Sequence, residues 1–78
     1  MLYKPNEGEN VYEVFLYNKF VRSLVKENQS HLFFGDRWAD RQKHDVVACN
    51  EFEARRMVAE HFRADDGFVI EGVVLTAF

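Results

Sequence analysis

The segment 11–17 (VYEVFLY) constrains the fold of this chain more than any other, because six of its seven residues are apolar or aromatic. Alternation along an extended strand places these side chains on two faces: Tyr12, Val14 and Leu16 on one, and Val11, Glu13, Phe15 and Tyr17 on the other. A strand that is largely apolar on both faces is usually central in its sheet or covered by a second layer. We therefore expect segment 11–17 to be the first strand and to need shelter on both sides.

The residues after this strand predict a short helix. Asn18 suits the N-cap position, Asn28 can end the helix in the left-handed region, and four apolar residues between them recur on one helical stripe: Phe20, Val21, Leu24 and Val25. A competing interpretation is that the first strand continues through Val21.

The second half of the chain predicts a strand, a helix and a strand. Residues 44–49 form the second strand, and Asn50 followed by Glu53 resembles a capping box that opens a helix over 50–63. A turn at 65–67 then leads into the third strand, 68–75, in which Gly72 indicates a bulge or the close approach of another backbone.

Residues 29–42 show no sustained period and contain the only tryptophan. A helical turn starting at Asp36 and an edge strand through 32–34 are both compatible with the pattern. Structureless loops of this length are uncommon in compact domains unless they are functional, so the segment is the main candidate for a functional surface.

These elements predict a small two-layer α+β sandwich of order β-α-loop-β-α-β, with a three- or four-stranded sheet and two helices on one face. The chain has 78 residues, enough for one core. We expect residues 1–10 to be a flexible tail and 11–78 a single domain. Two helices on one face leave the other sheet face uncovered, which predicts a homodimer or a subunit of a larger complex.

Charge and cysteine content narrow the setting. Thirteen acidic residues against ten basic ones give a net charge of −3, which disfavours nucleic acid as a partner. The sequence shows no signal peptide and no apolar run that could cross a membrane, and Cys49 is its one cysteine. We therefore expect a cytoplasmic protein without a membrane partner.

Enzymatic chemistry is not indicated. The spacing of His31, His44, His61 and Cys49 fits no zinc motif, so we expect no metal and no cofactor. Cys49 is interpreted as a buried structural thiol, because the glutamates at 51 and 53 would oppose formation of a thiolate nucleophile. We expect a protein that is not an enzyme.

The run Tyr12-Glu13-Val14-Phe15, followed later by a strand and an alanine-containing helix, resembles small accessory subunits of multicomponent oxygenases. The resemblance covers four residues and a general pattern of elements. No functional residue is transferred from it.

The leading hypothesis is a non-enzymatic protein-interaction module. Aromatic and arginine side chains dominate interface hot spots, which gives these candidate partner-binding residues: Phe33, Phe34, Arg37, Trp38 and Arg41. The alternative role of their aromatics is a lid over the open end of the core. Two other functions stay open, a nucleic-acid regulator that binds phosphates through Lys19, Arg22 and Lys26, and a binder of a small ligand beneath the 29–42 loop.

Overall fold

A computed structural model describes residues 8–76 of the chain. Its strands are β1 (Asn10–Asn18), β2 (Gln42–Ala48) and β3 (Phe68–Leu75), and its helices are α1 (Lys19–Lys26) and α2 (Glu51–His61). Two short 3-10 turns, Asp36–Ala39 and Ala64–Asp66, precede β2 and β3. The predicted α+β class, the β-α-β-α-β order and the three-stranded sheet are confirmed.

The strand that is apolar on both faces is the central one, as expected. The sheet order is β2-β1-β3, and β1 pairs antiparallel with both neighbours. Because β2 and β3 both oppose β1, they run parallel to each other on its two sides. The unit β2-α2-β3 is therefore a βαβ unit that is split by the central strand.

A bulge interrupts the pairing of β1 with β3. Phe15 lies opposite Gly72, whereas the next residue, Leu16, lies opposite Ile70. Glu71 is thus the extra residue on β3, and the bulge predicted from the glycine is confirmed. No atom lies within 4 Å of where a Cβ on Gly72 would be, so this glycine does not mark a close backbone approach.

The core lies between α2 and one face of the sheet, which we call the inner face. Tyr12, Val14 and Leu16 of β1 are buried there in one cluster with Ala54 and Val58 of α2. The opposite face, with Phe15 and Tyr17 of β1, is called the outer face below. The helix begins as predicted at an asparagine cap, since the Asn50 side chain accepts the backbone N–H of Glu53 at 2.8 Å.

Asn18 ends β1 and starts α1. Its side-chain oxygen accepts the backbone N–H groups of Phe20 and Val21 at 2.9 and 3.0 Å, and its Nδ2 donates to the carbonyl of Asp66 at 2.9 Å. The side chain is fully buried and all three bonds are short, so the chain is turned out of the sheet at this residue. Continuation of the strand through Val21 is therefore wrong. Asn28 follows the helix with a φ of 58°, as predicted for its left-handed end.

Other boundaries shift from the expectation. Residues 1–7 of the expected tail lie outside the described residues, and Asn10 already belongs to β1. The helical turn at Asp36 is confirmed, whereas residues 32–34 form bends and not an edge strand. Strand β2 stops at Ala48, so the next residue, Cys49, is exposed, and its interpretation as a buried thiol is wrong.

One further property follows from the lengths of the helices. Within residues 8–76, neither the eight residues of α1 nor the eleven of α2 make a helix that could cross a membrane.

Candidate functional site

The first part of the candidate site is an aromatic anchor at the end of the core. The ring of Phe34 lies edge-on to Phe68 at 5.0 Å between centroids, and Trp38 lies 5.2 Å from Phe68 and 5.3 Å from Phe62. Phe62 follows α2 and Phe68 opens β3, so Phe34 and Trp38 close the core between helix and sheet. Phe34 and Trp38 therefore have the alternative role considered from the sequence, that of a lid over the open end of the core.

The second part is a pair of displayed apolar side chains next to this anchor. Leu32 is 91% exposed and Phe33 is 84% exposed. The backbone that carries them is held by His31, whose Nδ1 accepts the N–H groups of Phe33 at 3.0 Å and Phe34 at 3.4 Å. We call Leu32 and Phe33 the displayed pair.

A hollow opens beside the displayed pair. It has a volume of about 460 Å³ and is open to solvent. Its walls are four rings and two acidic residues: Phe20, His31, Phe33, Phe34, Asp65 and Asp66. Three separate elements contribute to it, namely α1, the 29–42 segment and the second 3-10 turn.

The Phe20 wall of the hollow rests on a glycine. Gly67 has a φ of +98°, and a Cβ built on it would lie 2.5 Å from Cδ2 of Phe20 and 2.8 Å from Oδ1 of Asn18. Only a residue without a side chain leaves room for the ring at this distance. Phe20 remains 45% exposed, so its ring is seated on one side and open on the other.

Cationic side chains occupy part of the outer face. The guanidinium of Arg22 lies 3.6 Å from the ring centroid of Tyr17, and that of Arg41 lies 4.7 Å from the centroid of Phe15. Lys43 pairs with Glu13 at 2.8 Å, and the hydrogen bond and charge of this carboxylate raise the pKa of the lysine. The two guanidinium groups therefore cover part of the aromatic surface on the outer face of β1.

Neither of the two predicted sites, the partner-binding residues and the basic row, presents all of its residues in the same way. Among the candidate partner-binding residues, Phe33, Arg37 and Arg41 are exposed, whereas Phe34 and Trp38 pack against the core. In the basic row, Nε of Arg22 donates to the carbonyl of Ala39 at 2.7 Å in addition to its stacking on a tyrosine. The row therefore does not present three equivalent free cations.

Sequence reasoning missed most of the hollow. The sequence pattern places Phe20 on the apolar stripe of α1 and Asp65 and Asp66 in a turn, with no indication that they meet. The buried asparagine at position 18 joins these two elements, because it caps one and binds the backbone of the other. A single sequence carries no signal for that contact, which spans 48 positions along the chain.

Within residues 8–76, no cluster of three or more His, Cys, Asp or Glu side chains has the geometry to hold a metal ion. The pKa of the Cys49 thiol is raised, chiefly by the negative charge of Glu53. A raised pKa leaves less thiolate at neutral pH, so this cysteine is poorly activated as a nucleophile.

The chain matches no protein-family model, no curated protein and no solved structure. Its function is therefore argued from its own surface. A segment that served only to cover the core would need neither the displayed pair nor the hollow beside it, so these two features are the candidates for binding.

Proposed function

We propose that this protein is a non-enzymatic protein-interaction module that binds its partner through the displayed pair. The observation that carries the proposal is the contrast within one short segment: Leu32 and Phe33 are almost fully exposed, while the aromatic residue that follows them is anchored on the core. Burial of each side chain in an interface would contribute about 1.5–3 kcal/mol. Two adjacent side chains of this kind match the size of a binding hot spot.

The anchoring supports binding because it lowers the entropy lost on association. The loop is fixed on one side by Phe34 and Trp38 and at its bend by the imidazole of His31. A partner would then meet a surface that is already ordered. A mobile loop with the same apolar side chains would lose more conformational freedom on binding.

The partner is another protein or a second copy of this chain, so the module acts as an accessory subunit or as a homodimer. An aqueous, reducing compartment such as the cytoplasm is proposed as its setting, since an exposed single cysteine is kept reduced there. Sedimentation of the purified chain across a range of concentrations separates the homodimer from the accessory subunit.

The experiment that tests the proposal is photo-crosslinking in the native host. A photoreactive amino acid replaces Phe33 in one variant and Phe52 in another. Phe52 is a matched control because it is also largely exposed, at 78%, but lies at the other end of the molecule. It stands at the start of α2, next to the end of β2 that pairs with Asn10. The displayed pair lies near the opposite end of β1, at Asn18.

We expect a discrete crosslinked product at position 33 and none of that size at position 52. A Leu32→Ser substitution in the crosslinking variant should strongly reduce the product. If both positions give the same products, or if position 33 gives none while the chain remains folded, the displayed pair is not the binding surface.

A further inference from the structure

We propose that the hollow beside the displayed pair binds the guanidinium group of an arginine side chain on the partner protein. The inference rests on the proposed function, because Phe33 belongs both to the displayed pair and to the wall of the hollow. It adds the chemistry that the partner must present. Its test measures cation binding directly, without the partner.

Two of the aromatic rings in the walls of the hollow pack against the rest of the protein, whereas the ring of Phe33 is exposed. Phe20 rests against Gly67, and Phe34 packs edge-on against Phe68 at 5.0 Å. The imidazole of His31 lies 5.0 Å from the ring of Phe34 between centroids. Cations bind favourably over the faces of aromatic rings, and rings that need no rearrangement lose little free energy on binding.

The acidic side of the hollow sets the sign of the ligand's charge. Asp65 and Asp66 line it, and both are exposed. Arg63 contacts the carboxylate of Asp65 at 3.4 Å, but this ion pair is long and both side chains are largely in solvent. Exposed pairs of this kind contribute little, so a ligand cation can compete for the carboxylate. The net charge of −3 favours the approach of a basic segment.

The shape of the site favours guanidinium over ammonium. A guanidinium is planar, stacks on ring faces, and presents several N–H donors that can reach two adjacent carboxylates at once. The same stacking recurs within this chain, where Arg22 lies over Tyr17 and Arg41 over Phe15.

Besides Arg63, a second cation of the chain lies near the hollow. The Nζ of Lys19 is 5.5 Å from the ring centroid of Phe20, and this lysine is exposed. The contact places a positive charge within cation–π distance of the Phe20 ring. The distance and exposure also make it a weak contact that a stacked guanidinium can replace.

The first experiment is an NMR titration of the isolated chain with two short peptides, acetyl-Gly-Arg-Gly-amide and its citrulline analogue. Citrulline has nearly the same shape as arginine but carries no charge. We expect saturable shifts of the amide signals of His31, Phe33 and Asp66 with the arginine peptide. The citrulline peptide should bind about tenfold more weakly, and 0.5 M salt should weaken the arginine peptide. Equal shifts with both peptides would overturn the proposal.

Lysine and choline probes test which cation the hollow prefers. The lysine peptide should bind more weakly than the arginine peptide, because its ammonium cannot stack flat or bridge two carboxylates. If choline binds at this hollow more tightly than the arginine peptide, the site is one for a small quaternary ammonium ligand, and the arginine assignment is wrong.

Variants show whether the hollow itself is the site. Replacing Asp65 and Asp66 by asparagine should weaken the arginine peptide about fivefold, and Phe20→Leu should weaken it as well. The matched controls are Asp45→Asn on β2 and Phe52→Leu on α2, which should leave the affinity unchanged. Amide spectra verify that each variant is folded. If the controls weaken binding as much as the hollow variants do, the peptide binds nonspecifically and the proposal fails.

The results separate this inference from the proposed function. If the arginine peptide does not bind but crosslinking at Phe33 still captures a discrete partner, only the cation chemistry is wrong. If the peptide binds but no partner is captured through Phe33, the hollow is a cation site and the displayed pair is not a protein-binding surface.

Discussion

The four large apolar side chains of segment 31–38 divide into an anchored half, Phe34 and Trp38, and a displayed half, Leu32 and Phe33. Phe34 and Trp38 pack on the core, whereas Leu32 and Phe33 are almost fully exposed. The difference arises from spacing, because residues 34 and 38 flank the start of a 3-10 turn and both reach the ring of Phe68. One segment can thus use half of its apolar side chains to fix the loop and the other half to contact a partner.

The largest effect is expected when the anchored half is removed. Trp38→Ala should lower the free energy of unfolding by about 2–3 kcal/mol, because the half-buried indole loses its contacts with Phe62 and Phe68. Urea denaturation followed by circular dichroism measures the change. Phe52→Ala is the control and should cost far less. A Trp38 variant as stable as the Phe52 variant would show that the anchor does not stabilise the fold.

A smaller effect is expected when the glycine under the hollow is given a side chain. Gly67→Ala should cost about 1–2 kcal/mol, because the left-handed backbone is strained for alanine and the new Cβ would overlap the ring of Phe20. It should also displace that ring and weaken the arginine peptide. Gly72→Ala is the control, since a Cβ there meets no atom within 4 Å. Equal costs at the two glycines would show that Phe20 is not seated as described.

The displayed half should contribute almost nothing to stability. Phe33→Ser and Leu32→Ser should each change the free energy of unfolding by less than about 0.5 kcal/mol, because neither side chain is buried. Urea denaturation of the two variants beside Trp38→Ala gives the contrast directly. A loss as large as that of the tryptophan variant would show that the pair packs against the protein in solution.

Local signals made the framework predictable. The alternation in residues 11–17 identified the central strand, and two asparagines, at positions 18 and 50, marked the helix starts because each forms a bond with backbone two or three residues away. The glycine at position 72 marked the bulge. The two caps are contacts close in the sequence. The partners of the strand and of the bulge lie far along the chain, but alternating apolar residues and an isolated glycine are themselves local signals.

The site was less predictable because its contacts are distant in the sequence. The segment 29–42 could be recognised as a candidate surface, but its composition alone could not show that Phe33 is exposed and Phe34 packs on the core. That division depends on the position of Phe68, 34 residues further along the chain than Phe34. To predict the hollow, one would have to know that Asn18 connects α1 to the second 3-10 turn, and no local sequence pattern encodes that contact.

A small effect is also expected for Arg37, which lies between Phe34 and Trp38 in the sequence. Its guanidinium is 5.4 Å from the ring centroid of Trp38, and the side chain is exposed. Arg37→Gln should therefore lower the free energy of unfolding by only about 0.5 kcal/mol, the scale of an exposed cation–ring contact. A double-mutant cycle with Trp38→Ala isolates this contact: the same substitution should cost nothing once the indole is absent. If the cost persists without the indole, Arg37 acts through another group, and the cation does not belong to the anchored half.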